Sequence, residues 1–172
     1  QKRPNLLMVE QDTPGVGRSW RGYDGKVGWA WNELEGYREM QGAELQQMLA
    51  STDLEGPLKI GVLCPLRKFL DEKVVGGRSL IGVAMSSIAG PEGNFYFDRR
   101  SGELVQVETF VQSGPDGRLK VLAEFSDHRR VDGVLIPHTV TVTNPAVQTV
   151  TRTKSVKHNV PLEDALFAPR KN

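Results

Sequence analysis

The sequence predicts a mainly β protein, an antiparallel meander that curls around one apolar face, with a single short helix inserted among the strands. Three observations predict it. Short runs rich in Val, Thr, Phe and Leu follow one another from about residue 67 to 158, each closed by Gly, Asp, Asn or Pro. Within those runs apolar and polar residues alternate, as in a sheet wetted on one side. Only one stretch, Gly42–Ala50, switches to the helical period.

In chain order, Leu6–Glu10 is a strand candidate. Ser19–Tyr23 and Lys26–Trp31 flank Asp24-Gly25, a dipeptide that favours a tight hairpin turn, and Trp29 and Trp31 fall on one face of that hairpin. The connector carrying Glu33, Glu35 and Glu39 reads as a solvated polar stretch. Gly42–Ala50 holds mostly strong helix formers, and Leu45, Met48 and Leu49 stand at i, i+3, i+4 to make one apolar stripe. Gly56-Pro57 stops it.

Lys68–Val75, Ser79–Ile88, Phe95–Asp98, Glu103–Gln112, Arg118–Ser126, Val134–Thr143 and Val147–His158 follow as strands, joined by turns too short for parallel crossovers. Leu119, Val121, Ala123 and Phe125 share one face of their strand; Arg118, Lys120, Glu124 and Ser126 share the other, with Leu122 the exception. Val134, Ile136, Val140 and Val142 oppose Thr139, Thr141 and Thr143, and Val105, Val107 and Val111 oppose Gln106 and Glu108. Burial of such side chains, about 1.5–3 kcal/mol each, drives the curling. A last helical turn is expected at Leu162–Phe167.

The 172 residues fit one domain without repeats or an internal boundary. Lys and Arg number 22 against 21 Asp and Glu, a balance that argues against a nucleic-acid partner. No apolar run is long enough for a membrane-spanning helix. The chain begins at Gln1 with no signal peptide, so a processed form or part of something longer is expected. One cysteine, Cys64, excludes an internal disulfide and reads as a small buried hydrophobe.

Catalytic patterns are lacking. His128, His138 and His158 are scattered, and a metal pair across the turn between His128 and His138 would fall short of the three or four ligands zinc takes. No Gly-x-Ser-x-Gly, P-loop or His-Glu-x-x-His occurs. The basic pairs Arg99-Arg100 and Arg129-Arg130 sit at turns beside Asp, where they read as charged hairpin tips that could meet acidic lipid headgroups or a partner. The expectation is a protein without enzyme activity, cofactor or metal.

Gly22-Tyr23-Asp24-Gly25-Lys26-Val27-Gly28-Trp29 resembles the G-x-D-G-x-x-x-W hairpin of the bacterial lipoprotein-sorting protein family, the LolA-like and LolB-like carriers. Val74–Arg78, Phe95–Asp98 with Gly102–Val105, Val131–His138 and Val160–Phe167 follow the same pattern, so the resemblance runs from about Tyr23 to Pro169. It is nearer to the family's branch of unassigned function than to its dedicated lipoprotein chaperone. It implies a strongly curved antiparallel sheet, an incomplete β-barrel of LolA-like form, with the short helix as a lid, and a chain lacking the family's first helix and strands. It implies a periplasmic, possibly membrane-associated carrier whose hollow takes a lipid or lipidated protein. The residues expected to line hollow and lid are Trp29, Trp31, Leu45, Met48, Leu49, Val105, Val107, Phe125 and Val140. The rival expectation is an accessory periplasmic subunit of a larger membrane complex, using the sheet as a scaffold for other subunits.

Overall fold

The computed structural model describes residues 1–52, 62, 64–86, 93–113 and 117–170. By backbone packing the chain forms two compact units, Gln1–Ile60 with Val160–Asn172, and Gly61–Asn159. The strands are antiparallel throughout, in two open sheets where the sequence suggests a single meander.

The first unit is built on a four-stranded sheet in chain order: β1 (Leu7–Thr13), β2 (Gly17–Tyr23), β3 (Gly28–Asn32) and β4 (Gly36–Glu39). The turns follow from short polar side chains that fold back on their own backbone. The Asp24 carboxylate accepts the N–H groups of Lys26 and Val27 at 2.8 and 2.7 Å. The Asn32 carbonyl accepts those of Leu34 and Glu35 at 2.9 and 2.8 Å. That second turn makes β4 a strand where the acidic connector suggests none.

Residues alternate between two covered faces. On one, the helix α1 (Gly42–Thr52) lays Leu45 and Met48 against Leu7, Val9, Tyr23, Ala30 and Met40. The opposite face carries Trp29, whose indole N–H donates to the Phe167 carbonyl at 3.0 Å. Phe167 closes a 3-10 turn, Asp164–Phe167, at the helical turn expected near the C-terminus, and both rings are buried. Gly22 lies directly across from Trp29. A Cβ there would come within 2.7 Å of the indole and 2.8 Å of the Leu7 carbonyl oxygen.

The second unit is an eight-stranded sheet formed by β5 (Leu66–Phe69), β6 (Lys73–Val75), β7 (Arg78–Ser86), β8 (Gly93–Asp98), β9 (Leu104–Ser113), β10 (Gly117–Val131), β11 (Val134–Thr143) and β12 (Gln148–Arg152). Its order is β12-β11-β10-β9-β8-β7-β5, and β6 shares β7 with β5. The single strand expected over 68–75 is therefore two, interrupted where the Leu70 N–H donates to the Gly82 carbonyl. The β10–β11 hairpin runs longer than the alternation suggests, and β12 is shorter. Beyond β12 the Thr153 N–H still reaches the His138 carbonyl, and His158 meets Asp132 at 3.2 Å. The helix stop at Gly56-Pro57 and the turn residues Gly90-Pro91-Glu92 and Gly114-Pro115-Asp116 lie outside the described residues.

Candidate functional site

The register of the eight-stranded sheet sets its chemistry. One row runs Phe69, Val83, Phe95, Val107, Ala123, Val142 across six strands, each residue paired with the next. Phe125 pairs with Val140 two residues along on the same face, and Ile81 pairs with Phe97 likewise. The face is thus almost wholly apolar, yet Val83, Phe95, Phe97, Val107, Phe125, Val140 and Val142 all remain half-buried, and Phe69 is exposed. The fully buried hydrophobic residues of this unit, Leu80 and Tyr96, stand on the other side.

That other side is packed and polar. The Tyr96 ring lies over Gly82, where a Cβ would meet it at 2.8 Å. Lys73 sits 3.3 Å above the centre of that ring, donates to Gln106 and reaches Glu108 at 3.3 Å. Lys120 meets Glu108 at 3.1 Å. Burial alone would push the Glu108 carboxyl up, but the two lysines outweigh it and hold it below the ordinary carboxylate range. Burial and the Glu108 charge push the Tyr96 hydroxyl up. Each charged group here has its partner, so this side carries a satisfied polar network where the other carries a row of apolar side chains.

In the first unit a pocket of about 520 Å³ is lined by residues of the four-stranded sheet and α1, Trp31 and Met48 of the expected set among them. Leu7, Val9, Ala30, Met40 and Met48 supply apolar lining, and Arg21, Arg38 and Glu44 supply charge. The Arg38 guanidinium grips the Glu44 carboxylate with two hydrogen bonds of 2.6 and 2.7 Å, tying β4 to the first turn of α1. That grip holds Glu44 below its ordinary value. Both side chains are nearly half exposed, so the clasp is worth about 0.2–1 kcal/mol.

The residues expected to act together divide into three places. Val107, Phe125 and Val140 share the open apolar face. Val105 falls where the β8–β9 register shifts, at an irregularity between Tyr96 and Phe97. Leu45 and Met48 pack between helix and sheet beside the pocket, while Leu49, also half-buried, stands outside that cluster. Trp29 and Trp31 lie on the opposite face of the four-stranded sheet from α1. Trp29 is wholly buried under the C-terminal segment, and Trp31 is tilted against Trp20 with ring centres 4.6 Å apart. Val83, Phe95, Phe97 and Val142 belong to the open face and are missing from the expected set. The alternation Phe95-Tyr96-Phe97 is their signal, but the register is needed to align it with Val107.

Among the described residues no cluster of three or more His, Cys, Asp or Glu could hold a metal ion. The ring nitrogens of His128 and His138 donate to the backbone carbonyls of Leu104 and Ile136. No helix among the described residues is long and apolar enough to cross a membrane.

Two antiparallel sheets, one with a largely apolar half-buried face and the other with a helix laid on it, define the architecture. Solved structures show the same fold. A domain named for outer-membrane lipoprotein sorting, from Vibrio parahaemolyticus, superposes with a TM-score of 0.57 at 14% identity, over 94% of this chain and 80% of that one. A LolA superfamily protein from Nitrosomonas europaea superposes with a TM-score of 0.57 at 11% identity, over 95% of this chain and 76% of that one. The fold is therefore LolA-like. No protein-family profile matches the sequence, and no curated protein matches it.

Proposed function

We propose that this chain is a non-enzymatic extracytoplasmic carrier that takes an acyl chain, free or on a lipidated protein, against the apolar face of its eight-stranded sheet. The observation that carries the reading is that face itself: seven large apolar side chains in register, none fully covered. An unliganded globular sheet hides such a surface; a carrier keeps it for cargo. Each methylene laid on it contributes about 0.8 kcal/mol, so an acyl chain needs no charged anchor there. Both units are read as parts of one LolA-like domain, in which α1 serves as a lid over its own pocket.

The test is titration with a fluorescent fatty acid, comparing the native chain with the double variant V107N/V140N. Saturable binding by the native chain and at least tenfold weaker binding by the variant, with unchanged β circular dichroism, support the carrier. Equal binding by both, or none by the native chain, overturns it.

The scaffold reading has one observation in its favour. Leu66 and Phe69 of the edge strand β5 are 60% and 77% exposed, and an open edge can accept a strand from another chain. Native mass spectrometry of the protein from its source separates the two: bound lipid favours the carrier, and a stoichiometric protein without lipid favours the scaffold.

A further inference from the structure

The antiparallel order brings three turns to one end of the eight-stranded sheet: Val75–Arg78 between β6 and β7, Asp98–Leu104 between β8 and β9, and Val131–Val134 between β10 and β11. The β10–β11 hairpin pairs on to Val131 and Val134, past the last β9 partner of β10 at Glu124. Asp132 and Gly133 turn it with positive φ, 47° and 84°. Its tip presents Val134 and Leu135, 54% and 40% exposed, and Val74 is 70% exposed on the β6–β7 hairpin, beyond β9 and β8 at the same end.

Cations surround these apolar residues. Arg129 is held by Asp127 and Arg99 by Glu72. Arg78 is shared by Asp98 and Glu103. Arg130 bonds only the Gly133 carbonyl, at 2.9 Å. Lys154 and Lys157 lie on the segment that Thr153 and His158 tie alongside β11. Among the described residues Arg100, Arg130, Lys154 and Lys157 have no acidic partner, while every carboxylate named at this end has a cationic one or, for Asp132, a histidine. Unmatched positive charge around exposed aliphatic side chains is the composition of a surface that settles on an anionic bilayer: the aliphatic groups enter the acyl boundary and the cations meet headgroup phosphates.

We propose that this end of the sheet docks on membranes rich in anionic glycerophospholipid, with Val134 and Leu135 inserted and Arg100, Arg130, Lys154 and Lys157 against the headgroups. It goes beyond carriage of an acyl chain, because none of these residues is among the seven side chains on which that reading rests.

The experiment is sedimentation of the full chain with vesicles of equal parts phosphatidylglycerol and phosphatidylcholine, and with phosphatidylcholine alone. Binding to the anionic vesicles, lost at high salt, is expected. R130Q/K157Q should bind about tenfold or more weakly, and V134S/L135S should lose most binding at unchanged salt dependence. An environment-sensitive dye on V134C, in a C64S background, should shift its emission to the blue on anionic vesicles. Equal binding to both vesicle types, variants that bind as the native chain does, or a dye that stays in water overturns the proposal. Fatty-acid titration of the same variants should be unchanged, which separates failure here from failure of the carrier reading.

Discussion

At Gly22 one methyl group would collide with the Trp29 indole and the Leu7 carbonyl at once. Neither a buried ring nor paired backbone can retreat, so Gly22→Ala should cost about 1–3 kcal/mol in denaturant titration. Phe167 should cost more: Phe167→Ala leaves a cavity where a buried ring stood, about 3–5 kcal/mol, and loosening the segment whose carbonyl the Trp29 indole holds should shift tryptophan emission to the red. Asp98 supplies a pH dependence. The Ser101 N–H and the Arg78 guanidinium, with the Arg100 N–H and the Ser101 hydroxyl, hold its carboxyl far below the usual range. Because the folded value lies below the unfolded one, near about 3.9, the ionised group stabilises the fold fully above that pH, and the stabilisation is lost as the pH falls toward the folded value. Asp98→Asn should therefore lower the melting temperature at neutral pH, and the gap from the native chain should narrow by about pH 3. None of these three roles was legible in the chain. The glycine in a strand and the phenylalanine near the C-terminus acquire theirs from partners distant in sequence, and the aspartate combines the N–H groups of its own turn with the distant Arg78.

Among the elements, α1 shows how far period alone carries. Leu45, Met48 and Leu49 give the helix and its apolar stripe, and Leu45 and Met48 do meet the sheet. What the stripe cannot say is which face receives it. Trp29 and Trp31 are on the other one, because β3 alternates and α1 lies on its Gly28–Ala30 side. Among the described residues α1 docks through those two apolar contacts and a half-exposed ion pair, few enough for it to be released without the sheet. Leu45→Asp should detach it and lower acyl-ligand uptake while β circular dichroism persists; unchanged uptake would remove the lid role. Strand β4 shows the converse. Four residues that end in Glu39 and follow Glu33 and Glu35 carry too little pattern to be seen, and the turn made by the Asn32 side chain creates the strand.

For the molecule as a whole, turn chemistry and alternation were enough to reach a mainly β, antiparallel fold, and the resemblance carried by Gly22–Trp29 and the motifs after it implied the LolA-like form. They did not reveal two sheets, since pairing across a break such as Leu70–Glu72 depends on which strand offers its edge. The apolar face was legible strand by strand through Val107, Phe125 and Val140, but its extent through Phe95 and Val83 needed the register. Native protein should brighten an apolar dye such as anilinonaphthalene sulfonate, and a fatty acid should displace it; a dark dye would mean that the face is occupied or closed. Among the described residues the eight-stranded sheet does not close on itself and ends in β5 and β12. A closed cylinder acts as a ruler, admitting tails up to its depth and rejecting longer ones. A sheet that does not close has no fixed depth to measure with, so across a homologous series its affinity should climb steadily with carbon number rather than peak at one length.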